Sequence, residues 1–410
     1  LSLFREIPPT AGWPIQTRNL IPHLFKKLPK GLLEEEFKKY LRSPSALLTY
    51  SGTAAFYLIL ESLKELSSRK TLVIPAFVCP LIPLAIKRSG LKIKVCDINP
   101  DNFDFDINKL RRICAEDKDI LAILAVHLAG IPLALRNIKD IAKGNNIFII
   151  EDCAQSLGAE YQGEKTGSIG EFSFFSLCRG KGLTIYEGGL AVTSKAEYAS
   201  LLENTSKKII YPDPLSESLK IAELFAYSIF YRPALFWFAF RLPQVFWQIR
   251  NNPIRAMGEY FELNFPAHKV SAFREYIGYL NFSFLDEEIN KQREKAAYYL
   301  RGLKGMTGIK PIAEPAQTKA NYPYLTVIFD TPEKRSSALK ILGNSGLGIS
   351  QVYLRAIPDY DYLEDIVPKV DCENARRIAQ QSITLSTSNF LKEEDLKKVL
   401  NNLQKIQETK

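Results

Sequence analysis

Asp152 and Lys181, 29 residues apart, are the two residues of this chain best placed to do chemistry together. Asp152 ends the apolar run Asn146-Ile147-Phe148-Ile149-Ile150-Glu151-Asp152, a pattern that predicts a buried strand with a carboxylate at its C-terminal end. Lys181 closes Ser176-Leu177-Cys178-Arg179-Gly180-Lys181, six residues before Glu187 of Glu187-Gly188-Gly189. Each has a bland explanation: a turn or capping carboxylate for Asp152, a solvated surface amine for Lys181. One cofactor accounts for both. Pyridoxal 5′-phosphate (PLP) needs an Asp against its protonated pyridine nitrogen to remain an electron sink, and a Lys amine to form a Schiff base. Such a lysine also moves a proton between Cα and C4′, so it must lose its own proton readily.

Other residues are compatible with that chemistry. Gln155 follows Asp152 by three positions, so both share a face if a helical turn begins there. Ser51-Gly52-Thr53 precedes a helical pattern; it is either a generic cap or a phosphate cradle built on free N–H groups. His127 is either a strand-end histidine or a neighbour of the cofactor, and Cys79 is either a core thiol or part of the site. With His23, His127 and His268 the only histidines, a His-rich metal site is excluded, and no metal is expected.

Glu151-Asp152-Cys153-Ala154-Gln155-Ser156-Leu157-Gly158-Ala159, then Gly167-Ser168-Ile169-Gly170, Phe172-Ser173-Phe174 and Lys181 with Glu187-Gly188-Gly189, together resemble the DegT/DnrJ/EryC1/StrS family. Upstream, Ser51-Gly52-Thr53-Ala54-Ala55, Val73-Ile74-Pro75-Ala76-Phe77, Asp97-Ile98-Asn99-Pro100-Asp101 and Val126-His127-Leu128-Ala129-Gly130 extend the resemblance. It resumes near Leu285-Asp286-Glu287. Members are PLP-dependent, fold-type-I aminotransferases that mostly act on nucleotide-linked keto-sugars.

The resemblance implies Lys181 as the Schiff-base lysine and Asp152 as the pyridinium partner. It puts Gln155 at the PLP 3-oxygen and Gly52, Thr53 and Ser176 around the phosphate, with Ser173 as the fallback. Relatives often place an aromatic at position 79 to stack on the ring; here Cys79 packs there, or Phe77 or another aromatic takes over. Relatives also carry a loop Asn that reaches the neighbouring subunit's phosphate. Ala267 falls at that place, with Asn264 or Lys269 as substitutes. Near Gln351-Val352-Tyr353-Leu354-Arg355 the His-Tyr substrate motif of many relatives is absent.

The implied activity is transfer of an amino group from glutamate to a nucleotide-linked keto-sugar, in a homodimer with active sites at the subunit interface. Lys181 argues against the dehydratase branch, which replaces this lysine. Two alternatives stay open: an aminotransferase on a non-sugar or lipid-linked carbonyl at a membrane, and a non-catalytic, regulatory PLP-binding protein.

The elements that must position these residues read as an α/β fold. Thr71–Ile74, Lys92–Cys96, Ile120–Val126, Ile147–Ile150 and Leu190–Thr193 are strand-like and alternate with helical patterns, which predicts a large domain with a mainly parallel sheet. The expected organisation is a Pro-rich irregular arm over 1–35, a PLP-binding domain over 36–285, and a smaller α+β domain over 286–410. Residues 205–265 interrupt the large domain. Within them, 221–247 is rich in Phe, Trp and Tyr but broken by Pro233 and Pro243. Two helices packed on the protein or on a partner subunit explain it; a monotopic membrane-contacting hairpin is the competing account.

Composition fits a globular protein: 46% apolar and 24% charged residues, with a net charge of +9. The positive balance suits a nucleotide diphosphate, a cofactor phosphate or an anionic membrane face. A nucleic-acid partner is not expected, because no dense basic run interleaved with aromatics occurs. The six cysteines lack paired zinc-type spacing, which suits reduced thiols in a cytoplasmic protein.

Overall fold

A computed structural model of the chain describes residues 4–408; residues 1–3 of the expected arm and 409–410 at the other end lie outside the described residues. Helix α1 (Leu32–Leu41) and strand β1 (Ser45–Thr49) open the regular structure. Ser51 then caps α2 (Gly52–Leu66), its Oγ accepting the Ala54 N–H at 3.1 Å. Alternating elements follow: β2 (Thr71–Pro75), α3 (Leu81–Arg88), β3 (Lys92–Cys96), α4 (Ile107–Glu116), β4 (Ile120–Val126), α5 (Leu135–Asn145) and β5 (Phe148–Asp152). A short hairpin, β6 (Glu160–Tyr161) and β7 (Glu164–Lys165), leads to β8 (Phe172–Ser176), β9 (Gly189–Thr193) and α6 (Ala196–Ile209).

The main sheet has seven strands in the order β1-β9-β8-β5-β4-β2-β3. The pairs from β8 to β3 are parallel, while β9 runs antiparallel to both β8 and β1. Every residue of β4 is buried, as a continuous apolar run requires when helices cover both faces. Asp152 pairs with Val126 on one side and Phe174 on the other, so the C-terminal ends of β4, β5 and β8 lie side by side. That is the end of a parallel sheet where ligands bind.

The interruption folds into α7 (Pro214–Phe230), a π-helical turn over Trp237–Arg241, α8 (Leu242–Ile249) and α9 (Pro253–Ala256). Pro233 falls between helices. Pro243, expected to break one, instead occupies the first turn of α8, where its missing N–H leaves nothing unsatisfied. The rings divide by direction. Tyr227, Tyr231 and Phe236 bury against Ile15, Leu20, Phe273 and Ile277. Phe230, Phe238, Leu242, Phe246 and Ile249 are exposed. Among the described residues, no helix is long and apolar enough to cross a membrane.

The remainder comprises α10 (Ala272–Phe282), α11 (Leu285–Leu303), β10 (Ile309–Pro311), β11 (Thr318–Lys319), β12 (Tyr324–Phe329), α12 (Pro332–Leu342), α13 (Glu373–Gln381), β13 (Ser382–Ser386) and α14 (Glu393–Glu408). The antiparallel sheet β10-β12-β13 packs a second core with Tyr299, Val327, Leu385 and Leu403. This part also reaches back: Ile357, Tyr360 and Ile378 join the main core, and β11 pairs with β6.

The arm departs from expectation in two ways. Helix α1 begins inside it, at Leu32, and buries Leu33, Phe37 and Leu41. Ile7 is fully buried in the second core and Leu20 is fully buried among the α7 rings. Arg5 forks onto Asp395 at 3.1 and 2.7 Å, so the arm is anchored at its start.

Candidate active site

The ends of β4, β5 and β8, the N-terminus of α2 and the turn after β8 enclose a cavity of about 150 Å³. Gly52, Thr53, Cys79, Asp152, Gln155, Ser176 and Lys181 all line it, so residues spread over 130 positions of sequence meet at one place.

Asp152 is buried, and one carboxylate oxygen accepts the Ala154 N–H at 3.0 Å. Burial pushes its pKa up to about 6, against that hydrogen bond and the positive charge of Lys181. A carboxylate whose charged form is disfavoured in this way gains from a cationic ligand. Gln155 has a fixed amide orientation. Its Oε1 accepts from the Ala129 N–H at 2.9 Å and from Tyr324 Oη at 2.6 Å. A backbone N–H can only donate, so the atom facing it is the oxygen and the Gln155 amino group is left for another acceptor.

Gly52 and Thr53 open α2, and the first N–H groups of a helix have no partner within it. A Cβ on Gly52 would stand 3.1 Å from Ser176 Cβ, so the helix terminus and the end of β8 approach closely. Two N–H groups, the Thr53 hydroxyl and the Ser176 hydroxyl thus border one corner suited to an anion. Ser173, the fallback, is not part of it. Its buried hydroxyl donates to the Gly167 carbonyl at 2.7 Å.

Lys181 sits in a tightly bonded turn. Leu177 N–H donates to Gly188 O and Arg179 N–H to Tyr186 O, both at 2.7 Å, and Lys181 N–H to Cys178 O at 3.2 Å. Gly180 has φ +80°, a conformation that favours glycine. The far side of the turn is held by Arg274, which is fully buried, ion-paired with Glu217 of α7, and donates to the carbonyls of Ile185 and Glu187.

His127 also lines the cavity. Its Nδ1 accepts the Leu133 N–H at 3.1 Å, so its Nε2–H donates to Glu151 at 2.9 Å. Burial pushes the Glu151 carboxyl up, but His127 and the N–H groups of Gly167 and Gly170 outweigh that and hold it below the usual range. His127, Glu151 and Cys153 lie close enough to suggest a metal site. With both ring nitrogens and both carboxylate oxygens hydrogen-bonded, the cluster reads as a structural network under the sheet end.

Cys79 lines the cavity, and burial pushes its thiol up to about 12. Phe77 does not reach the cavity. It is buried and packs edge-on, 5.3 Å between ring centroids, against Tyr353, which does line it. Ala267 is buried with Tyr50, Ala54 and Ile210, while Asn264 and Lys269 are exposed, and none of the three lines the cavity.

Cys178, Glu187 and Tyr353 are lining residues that sequence reasoning did not assign. Cys178 and Glu187 flank the lysine turn and were findable from the Ser176 and Glu187-Gly188-Gly189 motifs. Tyr353 had no local signal. Its loop is fixed by Glu259, whose carboxylate accepts from the Leu354 N–H at 3.2 Å and Tyr360 Oη at 2.5 Å, while its carbonyl accepts from Tyr362 Oη at 2.6 Å.

A buried carboxylate in need of a cation, a lysine, an anion corner and a spare amide donor, all on one cavity, fit PLP. The architecture is that of a fold-type-I PLP enzyme. The chain belongs to the DegT/DnrJ/EryC1/StrS aminotransferase family, which it matches over residues 30–209 and 266–404. Its fold is similar to that of PseC from Helicobacter pylori, described as an aminotransferase involved in the biosynthesis of pseudoaminic acid. The TM-score is 0.77 at 18% identity, covering 99% of this chain and 100% of that one. The GDP-perosamine synthase of Escherichia coli O157:H7 is 31% identical over 162 residues, 39% of this chain and 43% of the relative. The GDP-4-keto-6-deoxy-D-mannose 3-dehydratase of Yersinia pseudotuberculosis is 29% identical over 174 residues, 41% and 44% respectively. The matched stretches span less than half the length of these curated relatives.

Proposed function

We propose that the protein is a PLP-dependent aminotransferase that moves an amino group from glutamate to a nucleotide-linked keto-sugar. The observation that carries this is the meeting of Lys181, Asp152 and the α2 terminus on one cavity. When bound, PLP supplies the electron sink. Asp152 holds the proton on the pyridine nitrogen, and the Gln155 amino group donates to the 3-oxygen. The N–H groups of Gly52 and Thr53, with the Ser176 hydroxyl, hold the phosphate. Lys181 Nζ anchors the cofactor and moves the proton between the substrate Cα and C4′. Tyr353 and His127 line the cavity together with Cys79, at whose position relatives place an aromatic. An intact lysine supports amino transfer over dehydration.

The test is a half-reaction with glutamate on purified protein, followed by a screen of nucleotide-linked keto-sugars that starts with GDP-4-keto-6-deoxy-D-mannose. An amino-sugar product supports the reading. A half-reaction with no sugar product throughout the screen points to another carbonyl acceptor. Absence of any half-reaction in protein that binds PLP points to a regulatory role.

The exposed apolar side chains of α7 and α8 favour a covered face. We propose a homodimer, in which the loop carrying Ala267 brings the exposed Asn264 or Lys269 toward the neighbouring subunit's phosphate. Peripheral contact of 221–247 with anionic lipid is the second reading, favoured by the outward rings.

A further inference from the structure

We propose that the stretch Thr10–Trp13 of the arm, backed by Tyr227 and Tyr231, positions Lys181. The inference rests on Lys181 being the residue that anchors the cofactor. Thr10 Oγ1 donates to the Gly180 carbonyl at 2.7 Å, and the Trp13 N–H donates to the Lys181 carbonyl at 3.0 Å. These carbonyls belong to the two peptide units that flank the Lys181 Cα. Each peptide unit is planar, so holding both fixes φ and ψ of Lys181 and with them the direction of its Cα–Cβ bond.

The arm is itself backed. Tyr227 Oη donates to the Trp13 carbonyl at 2.8 Å and Tyr231 Oη to the Thr10 carbonyl at 3.3 Å. Between them, Gly12 touches both sides: a Cβ there would stand 2.7 Å from Gly180 Cα and would collide with the Tyr231 ring. Pro8 and Pro9 stiffen the approach. The stretch is tethered at one end by Arg5 on Asp395 and at the other by Thr17 Oγ1, 2.8 Å from Ser228 Oγ. Thr10, Gly12, Trp13, Tyr227 and Tyr231 all lie outside the residues that match the family. Segments outside the family match therefore grip the lysine turn from behind. The contacts are to backbone, so they are positioning contacts and leave the Lys181 amine free for chemistry.

The test uses the full chain with Thr10→Val, Thr10→Ser and Gly12→Ala. Borohydride reduction of wild-type protein with PLP, followed by peptide mapping, first establishes which lysine is linked; an adduct elsewhere removes the Lys181 reading, independently of the arm. Hydrogen exchange of residues 177–188 is then followed in cofactor-free protein, and the glutamate half-reaction in loaded protein. Thr10→Val should speed exchange in the turn and slow the half-reaction by about fivefold each, the equivalent of one neutral hydrogen bond, with PLP affinity unchanged. Thr10→Ser keeps the donor and should restore both. Gly12→Ala should have the larger effect. Wild-type exchange and rate in a folded Thr10→Val protein would overturn the proposal. So would exchange that rises equally in β2 and β3, which marks a merely structural role.

Discussion

The cofactor cavity and the arm-plus-insertion layer are built on different principles. The cavity takes its residues from the ends of regular elements: Asp152 ends β5, Ser176 ends β8, and Gly52 and Thr53 begin α2. Each is placed by a pattern that a few neighbouring residues encode. The layer behind the lysine turn is held by contacts between distant segments, such as Arg5 with Asp395 and Ser386 Oγ with the Pro8 carbonyl. The comparison teaches that the matched family core supplies chemical groups, whereas the unmatched segments supply restraint. Predictions that remove a group should abolish chemistry; predictions that remove restraint should change stability or geometry first.

Lys181→Ala should have the largest effect. The visible absorbance of protein with PLP and the borohydride-stable adduct should both vanish while the fold persists, because the lysine lies in a turn and fills no core. An adduct on another lysine would break the comparison at its root. Next comes the buried Arg274–Glu217 pair, which ties α10 to α7. Arg274→Ala leaves the Glu217 charge buried without its partner, a loss of about 3–5 kcal/mol, read as a fall in thermal midpoint. A midpoint close to wild type would show that the insertion is not coupled to the lysine turn through this pair.

Asp152→Asn should spare folding and part of the PLP affinity but slow amino transfer by at least about a hundredfold, equivalent to roughly 2.7 kcal/mol of barrier. Near-wild-type turnover would remove Asp152 from its role. Glu259 gives a smaller, pH-dependent effect. Burial raises its pKa from 4.5 to about 7, against hydrogen bonds from Tyr360 and Leu354. Between those values the folded state keeps a proton that the unfolded state has lost. Its contribution to stability is therefore full below about 4.5 and falls as pH rises through about 7. Glu259→Gln lacks this term, so the stability difference between variant and wild type should shift in the variant's favour from pH 4.5 to pH 8, by on the order of 1–3 kcal/mol. Comparison with wild type is needed because Glu6 and Glu275 are raised in the same direction. A difference independent of pH would show Glu259 to be ionised throughout.

What was legible in sequence follows the same division. The strands Lys92–Cys96 and Ile120–Val126 have the bounds their sequence pattern indicates, because burial on one or both faces is written into local patterns. Asp152, Gln155 and Lys181 were legible through motifs. Tyr353 was not, since its place depends on Glu259, nearly a hundred positions away. The arm misled for a related reason: prolines and turns marked it as irregular, which it is, but irregular chain can still bury Ile7 and Leu20 when other segments cover them. The aromatic segment reads in sequence as two packed helices or a membrane-contacting hairpin, and only the direction of each ring decides which ones face solvent.

That division of rings gives the last prediction. Phe236 is buried against Tyr231 and Phe240, whereas Phe238 and Phe246 are 43% and 46% exposed. The guanidinium of Arg250 lies 4.0 Å from the Phe246 ring centroid, which puts a cation beside an exposed ring, an arrangement suited to a headgroup boundary. If this face meets anionic lipid, the protein should float with anionic liposomes and salt should weaken the association. Phe238→Ser with Phe246→Ser should then abolish flotation while shifting stability by no more than about 0.5 kcal/mol per site, as exposed positions do. Phe236→Ser should do the reverse, lowering stability by about 3 kcal/mol through a cavity beside the arm. If the exposed pair instead converts a dimer to a monomer by light scattering and leaves flotation unchanged, the same rings face a second copy. Either result fixes what covers the outward half of the insertion, while the inward half keeps its role behind Lys181.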